Sequence, residues 1–416
     1  EPTCDPSGEP SSEPSRPTGE PSGEPSGEPS GQPSGEPSGS PSVSSRPTSV
    51  PSKALEWSQL GVDVDASPGD KCGSAVALSR DGSHMAVGCP ENDRSAPNAG
   101  VVRMYEYNAD GDTWNQKGTD LFGEGSGDKS GSAIAISSDG SRVAIGADKN
   151  DEAGNNAGHV RVYEYSSGLG DWSQLGADID GEAAVDVSGR SVSLSADGSK
   201  VAIGAIRHDA SGEDAGQVRV LEYSSVTGNW TLLGSGIGGE AAGDQSGISV
   251  SLSSDGSVVA VGSIANSDGG VDAGHVRVFN YTYSSDAWSQ LGTDIDGEAA
   301  GDKSGRFVCL ADEGGRLAVG SHLSLSTNGS ARVFYFDTGG STWTQLGSTI
   351  AGEAAGDLSG WSLSLSGNGE RVAIGAQGND GNGASSGHVR VFEYGSAGVS
   401  SWEQLGSDLD GEAAGD

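Results

Sequence analysis

The chain has 416 residues, 70 of them Gly, a hydrophobic fraction of 33% and a formal net charge of −36. So little apolar content with so much Gly argues against a helical or α/β enzyme core and fits short strands joined by many turns. The charge excludes nucleic acid and anionic membranes as partners, and no apolar run approaches the roughly 18 residues of a membrane span.

Residues 1–52 come first and stand apart. Thirteen prolines lie between Pro2 and Pro51, and each is followed by Ser or Thr, most regularly in EPSGEPSGEPSGQPSGEPSG. Proline at this density favours an extended polyproline-II-like tail, which the interspersed Gly would loosen. The hydroxyl beside each proline makes the segment a candidate for O-linked sugar on Ser, Thr or hydroxylated Pro. The best candidates are Pro21, Ser22, Pro25, Ser26, Pro29, Ser30, Pro33, Ser34, Pro37 and Ser38. Composition here resembles the Pro-Ser-rich segments of algal and diatom-like extracellular glycoproteins. The plainer alternative is a bare spacer. With eight acids and two bases the tail carries −6, so −30 belongs to residues 53–416. The chain opens on Glu1 and stops inside a recurring phrase, DGEAAGD, and reads as a mature or partial chain.

Residues 53–416 are a tandem array. Seven of the eight tryptophans recur in phase, at Trp57, Trp114, Trp172, Trp230, Trp288, Trp343 and Trp402. Between them each unit shows SVSLS-like alternation, an Asp-Gly turn, a returning KVAIGA, a polar loop, QVRVLEY and then the Trp phrase. Four short antiparallel strands per repeat of about 58 residues describe a β-propeller blade. The expected fold is all-β: six complete blades plus an extra rim strand, or a ring of seven. With six units and seven Trp strands, Trp57 and Trp402 compete for one rim position in a six-blade ring. Either the array continues, or a strand is displaced to pair with a neighbouring molecule.

In the first unit Cys72 and Cys89 flank a hairpin turning at Asp81-Gly82, which places them nearly opposite one another for a disulfide. Two separate buried thiols are the alternative. Cys309 takes the place of Ala77 and is expected as a core filler, and Cys4 is isolated in the tail.

The recurring phrase SG-x-S-V-x-L-S…DG-S-x-V-A-I-G-A…AG-x-V-R-V-Y-E-Y resembles the FG-GAP repeat of integrin-α-type propellers. The resemblance implies the propeller fold and, in several blades of that family, a calcium loop between the first two strands. Here that position is a bare turn such as SADGSK, so calcium is not implied there.

Acidic loops entering each blade are the other cation candidates. Asp178, Asp180, Glu182 and Asp186, and likewise Asp294, Asp296, Glu298 and Asp302, gather hard oxygens that suit Ca²⁺. The alternative is that they cap turns or pair with the arginine in every third strand: Arg103, Arg161, Arg219, Arg277, Arg332 and Arg390. His159, His275 and His388 precede that strand in three units. Their blades are not all adjacent, so no shared zinc site is expected. Sequons mark Asn229, Asn280 and Asn328 for N-glycosylation.

No phosphate loop, Cys-x-x-Cys or nucleophile constellation stands out, and a non-enzyme is expected with no required cofactor. The first reading is an extracellular structural glycoprotein, a subunit that joins copies of itself head to tail through the tail or the spare strand. The alternative is a cell-surface adhesion or ligand-binding propeller using its acidic loop face, with Ca²⁺ as an optional ion. A propeller glycosidase or lyase is the third; it requires one unit to break the repeat with unique polar residues facing the axis.

Overall fold

The chain divides into Glu1–Ser52 and Lys53–Asp416. The computed structural model describes residues 56–324, 327–395 and 400–415. The candidate glycosylation sites at residues 21–38 lie outside the described residues, as does Cys4.

Six sheets follow one another along the chain, spanning residues 75–122, 133–180, 188–238, 246–296, 304–351 and 362–410, here blades 1 to 6. In blade 3 the strands are Ser188–Leu194, Lys200–Ala205, Gln217–Ser224 and Asn229–Leu232, each antiparallel to the one before. A two-residue piece, Ile237–Gly238, returns to pair with the third strand, so the rim strand is broken in two. No helix occurs among the described residues, and so none is long and apolar enough to cross a membrane.

The first turn explains its own sequence. In Ser-x-Asp-Gly-Ser, Asp197 accepts from the Ser199 N–H at 2.9 Å and from the Ser195 and Ser199 hydroxyls at 2.7 and 2.8 Å. These hydrogen bonds outweigh its partial burial and hold the Asp197 carboxyl below the ordinary range. The turn uses up the carboxylate that a calcium loop would need.

Blades stack through their apolar faces. Val218, Val220 and Leu233 of blade 3 meet Val250, Leu252 and Phe279 of blade 4, and comparable clusters join blades 1–2, 2–3, 4–5 and 5–6. Glycine permits this close approach. A Cβ on Gly204 would lie 2.0 Å from the Gly247 carbonyl oxygen of the next blade. At the rim, each Trp ring packs on an aromatic of the third strand with centroids 5.1–5.3 Å apart. Its Nε1–H donates to a carbonyl of the preceding rim segment: Trp172 to Lys117 at 2.7 Å and Trp230 to Leu175 at 2.8 Å.

That rim chain settles the competition between Trp57 and Trp402. Trp402 donates to Leu346, Trp57 to Leu405 at 3.1 Å and Trp114 to Leu60 at 3.0 Å. Trp57 therefore occupies a seventh rim position between blades 6 and 1, instead of sharing the sixth. The three strands that would stand inside it are not among the described residues. Blades 1 and 6 accordingly keep open walls. Val76 and Leu78 are 62% and 58% exposed, whereas their blade 4 counterparts Val250 and Leu252 are 8% and 7% exposed. A Cβ on Gly375, the blade 6 counterpart of Gly204, would meet only its own Ser362 side chain within 3.5 Å. The six blades form an array with one seam.

Cys72 and Cys89 are joined in a disulfide. Cys309 packs against the core shared by blades 5 and 6, where burial raises its thiol pKa. Asn229 opens a rim strand and is exposed, while Asn280 and Asn328 are half-buried.

Candidate functional sites on the loop face

The loops that follow second strands and those that enter each new blade lie together: Val185 N–H donates to the Asn155 carbonyl and Gly243 N–H to Glu213. On this face the acidic motif divides by role. Its last carboxylate is a buried cap: Asp186 accepts from Ala183 N–H at 2.8 Å and Asp302 from Ala299 N–H at 2.9 Å. Glu182 reaches His208 at 3.1 Å, in the blade beyond Asp178. Glu298 acts electrostatically on Arg332 of blade 5. Asp180 and Asp296 offer main-chain carbonyls to Arg219 and Arg332 at 2.6 and 2.7 Å. The expected fourfold clusters, Asp178 to Asp186 and Asp294 to Asp302, are thus divided by the blade boundary and do not assemble as units. Each repeat arginine was expected to pair with a loop carboxylate. The five from Arg161 onward also take a carbonyl of the preceding blade, as Arg161 bonds Phe122 O at 2.7 Å and Glu124 at 3.2 Å, whereas Arg103 meets Asp120 of its own blade.

Asp178 and Asp294 join other partners. Glu124, Glu152, His159 and Asp178 present one ligand atom each within 4.8 Å of one another; so do Glu240, Asp268, His275 and Asp294, and also Glu353, His388 and Asp408. The histidines are 1%, 0% and 5% exposed, and none of their Nδ1 atoms has a hydrogen-bond partner. Each Nδ1 faces carboxylate oxygens: two for His159 at 3.9 and 3.8 Å, two for His275 at 3.8 and 3.9 Å, and three for His388, Glu353 at 3.9 Å and Asp408 and Asp410 at 4.0 Å. The other oxygen of each acid is engaged. Glu124 Oε1 meets Arg161, and Asp178 Oδ1 accepts from Gln174 at 2.5 Å. Burial lowers the pKa of His159 and His275, so both imidazoles are neutral near pH 7. The histidines do not share a site with one another; each meets carboxylates across its own blade boundary.

A second constellation breaks the repeat at the axis. Arg190 and Arg306 sit in bulges of the innermost strands of blades 3 and 5. The Arg306 guanidinium lies 4.5 Å over the Trp361 ring, and His322 meets that ring edge-on at 5.0 Å. Arg190 has Asp148 at 3.8 Å, but Arg306 has no hydrogen bond or ion pair among the described residues. Burial first, and then the charge of Arg190, pushes Arg306 down to about 10. Burial first, and then Arg306 and Lys303, pushes His322 down to about 4 from 6.5. His322 Nδ1 is buried without a partner. The changes in the fifth unit are mostly to small and apolar residues, and His322 is a polar departure, while Arg306 has a counterpart in Arg190.

His322 makes a pH prediction. Its folded pKa is depressed, so the unfolded chain takes up the proton first, and stability present above pH 6.5 is lost as pH falls toward 4. Urea denaturation should show wild type losing more stability over that window than His322→Gln; equal losses would contradict it.

One stretch of the chain, from the rim of blade 5 through the third strand of blade 6, bears on the family resemblance. Residues 343–392 match the family model described as the FG-GAP repeat. The chain carries an FG-GAP repeat. No curated protein sequence matches this chain. Among solved structures, the Pseudomonas aeruginosa periplasmic gluconolactonase PpgL is similar at 17% identity and TM-score 0.54, covering 82% of this chain and 85% of that one. A Bacteroides uniformis protein designated a 6-phosphogluconolactonase is similar at 12% identity and TM-score 0.57, covering 81% and 85%. At such identities the likeness shows the propeller fold alone. It nevertheless corrects the expectation of a non-enzyme: propellers named as lactonases share this FG-GAP chain's architecture, so a repeat fold without a motif does not exclude catalysis.

Proposed function

We propose that this FG-GAP propeller is an extracellular recognition protein whose loop face binds a ligand bearing a carboxylate or sulfate group at its axial end. The observation that carries the reading is Arg306, half-buried beside Trp361 with no anionic partner in a chain of net charge −36. A guanidinium left unpaired in such surroundings suits an incoming anion, and the neighbouring Arg190 and His322 supply further donors. The disulfide supports an oxidising, extracellular setting. Isothermal titration with a sulfated disaccharide and a uronic-acid oligosaccharide tests this. Arg306→Gln is expected to weaken binding at least tenfold and Arg371→Gln, an exposed strand residue of blade 6 already paired with Glu393, to leave it unchanged. Binding by neither probe, or binding indifferent to Arg306, would end the reading.

A second reading, self-assembly into a fibril or surface coat, is supported by the seam. Its walls match those on which every other blade packs, so they suit strands of another repeat unit. Light scattering across a concentration series separates the cases: growth with concentration that Val76→Lys/Leu78→Lys abolishes supports assembly, and a constant monomer mass refutes it.

A further inference from the structure

We infer that the loop face holds three divalent transition-metal ions, one on each of blades 2, 4 and 6, through the imidazole Nδ1 of His159, His275 and His388. Three observations converge. The histidines are buried, and each Nδ1 faces carboxylate oxygens without a hydrogen bond. A neutral imidazole with its proton on Nδ1 would draw a carboxylate to about 2.9 Å; with its lone pair there it would repel both acids. The separations of 3.8–4.0 Å fit neither arrangement. A cation between them satisfies all three groups. Metal bonds of about 2.1 Å give a tetrahedral edge of about 3.4 Å, so a closure of roughly half an ångström completes the site.

The residues also appear together. Blades 2, 4 and 6 carry both the histidine and the rim aspartate, as His159 with Asp178, His275 with Asp294 and His388 with Asp408. At the same two positions blade 3 has Gln217 and Gly236, and blade 5 has Ser330 and Thr349. Blade 1 has Val101, and its Asp120 is held instead by Arg94 and Arg103. The histidine occurs only in blades that carry the aspartate, whereas Asp120 occurs without a histidine and is bonded by Gln116 and by arginines. Glu124, Glu240 and Glu353 join the sets from the loop that links the preceding blade to the histidine's own, and Glu152 and Asp268 add a fourth group in blades 2 and 4.

Ligand chemistry selects the ion class. Ca²⁺ and Mg²⁺ take oxygen ligands, whereas imidazole with carboxylates suits Zn²⁺, Co²⁺, Ni²⁺ or Mn²⁺. This replaces the Ca²⁺ expectation at Asp178 and Asp294.

The test uses the whole chain, freed of metal by chelator and titrated with Co²⁺ and with Zn²⁺. Three ions per chain are expected, with Co²⁺ absorption showing nitrogen and oxygen ligation, and a hundredfold excess of Ca²⁺ should not displace them. His275→Gln should lower the stoichiometry from three to two. Asp294→Asn, at a half-buried rim position, should do the same while leaving the histidine in place, and circular dichroism checks that both variants keep the wild-type sheet signal. Stoichiometry unaffected in a folded variant, or equal displacement by Ca²⁺, overturns the inference. Sulfate or uronic-acid binding at Arg306 is read separately, so either proposal can fail alone.

Discussion

Gly204→Ala is expected to cost about 3 kcal/mol or more, at the upper end of what overpacking costs. The added methyl would sit 2.0 Å from the Gly247 carbonyl oxygen, and backbone cannot move aside without separating blades 3 and 4 along their length. The same substitution at Gly375 should cost less than about 1 kcal/mol. Both glycines occupy the same register of a second strand, and in both a Cβ meets the hydroxyl of a first-strand serine, Ser191 or Ser362. They differ in what lies beyond: the next blade for Gly204, the open seam for Gly375. Urea denaturation of the two variants measures the difference. Equal, large losses would mean that the seam is filled.

Trp172→Ala is the second large effect. The ring is 8% exposed, packs on Tyr165 and donates to Lys117 of the preceding blade. Deleting a buried aromatic costs about 3–5 kcal/mol, and here the carbonyl also loses its donor. Trp57→Ala, at a ring 46% exposed, should cost less than about 1 kcal/mol because no strand among the described residues stands inside it to be packed. Thermal unfolding should rank the variants in that order. A large loss at Trp57 would show that the seventh rim position stabilises the array more than its exposure implies.

These contrasts also mark what the sequence could convey. The blade architecture, strand order and outward position of the tryptophans were legible, because a period of about 58 residues repeats both the polar turns and the apolar alternation; six blades or seven was left open. The rim order was not. Trp57 and Trp402 looked like rivals for one place because counting strands assumes a closed ring, and only the donor chain from Trp402 to Leu346 and from Trp57 to Leu405 separates them. The acidic motif was misgrouped for a related reason. Asp178 and Glu182 are four residues apart, but a blade boundary falls between their side-chain environments, so proximity in sequence is not proximity in the site. The pairing of His159 with Asp178, repeated in two other units, was present in the sequence all along. It becomes visible only when the unit is compared position by position across odd and even blades.

Both proposed sites reside in departures from the repeat. The glycines, arginines and tryptophans common to all units build the array, while His159, His275 and His388 on one side and Arg306 with His322 on the other distinguish particular blades. Crystals grown with zinc and measured on both sides of the zinc absorption edge test that claim most directly. Anomalous peaks beside Nδ1 of all three histidines, and none at Val101, Gln217 or Ser330, are what the structure predicts. Peaks scattered over the acidic surface without regard to the histidines would contradict it.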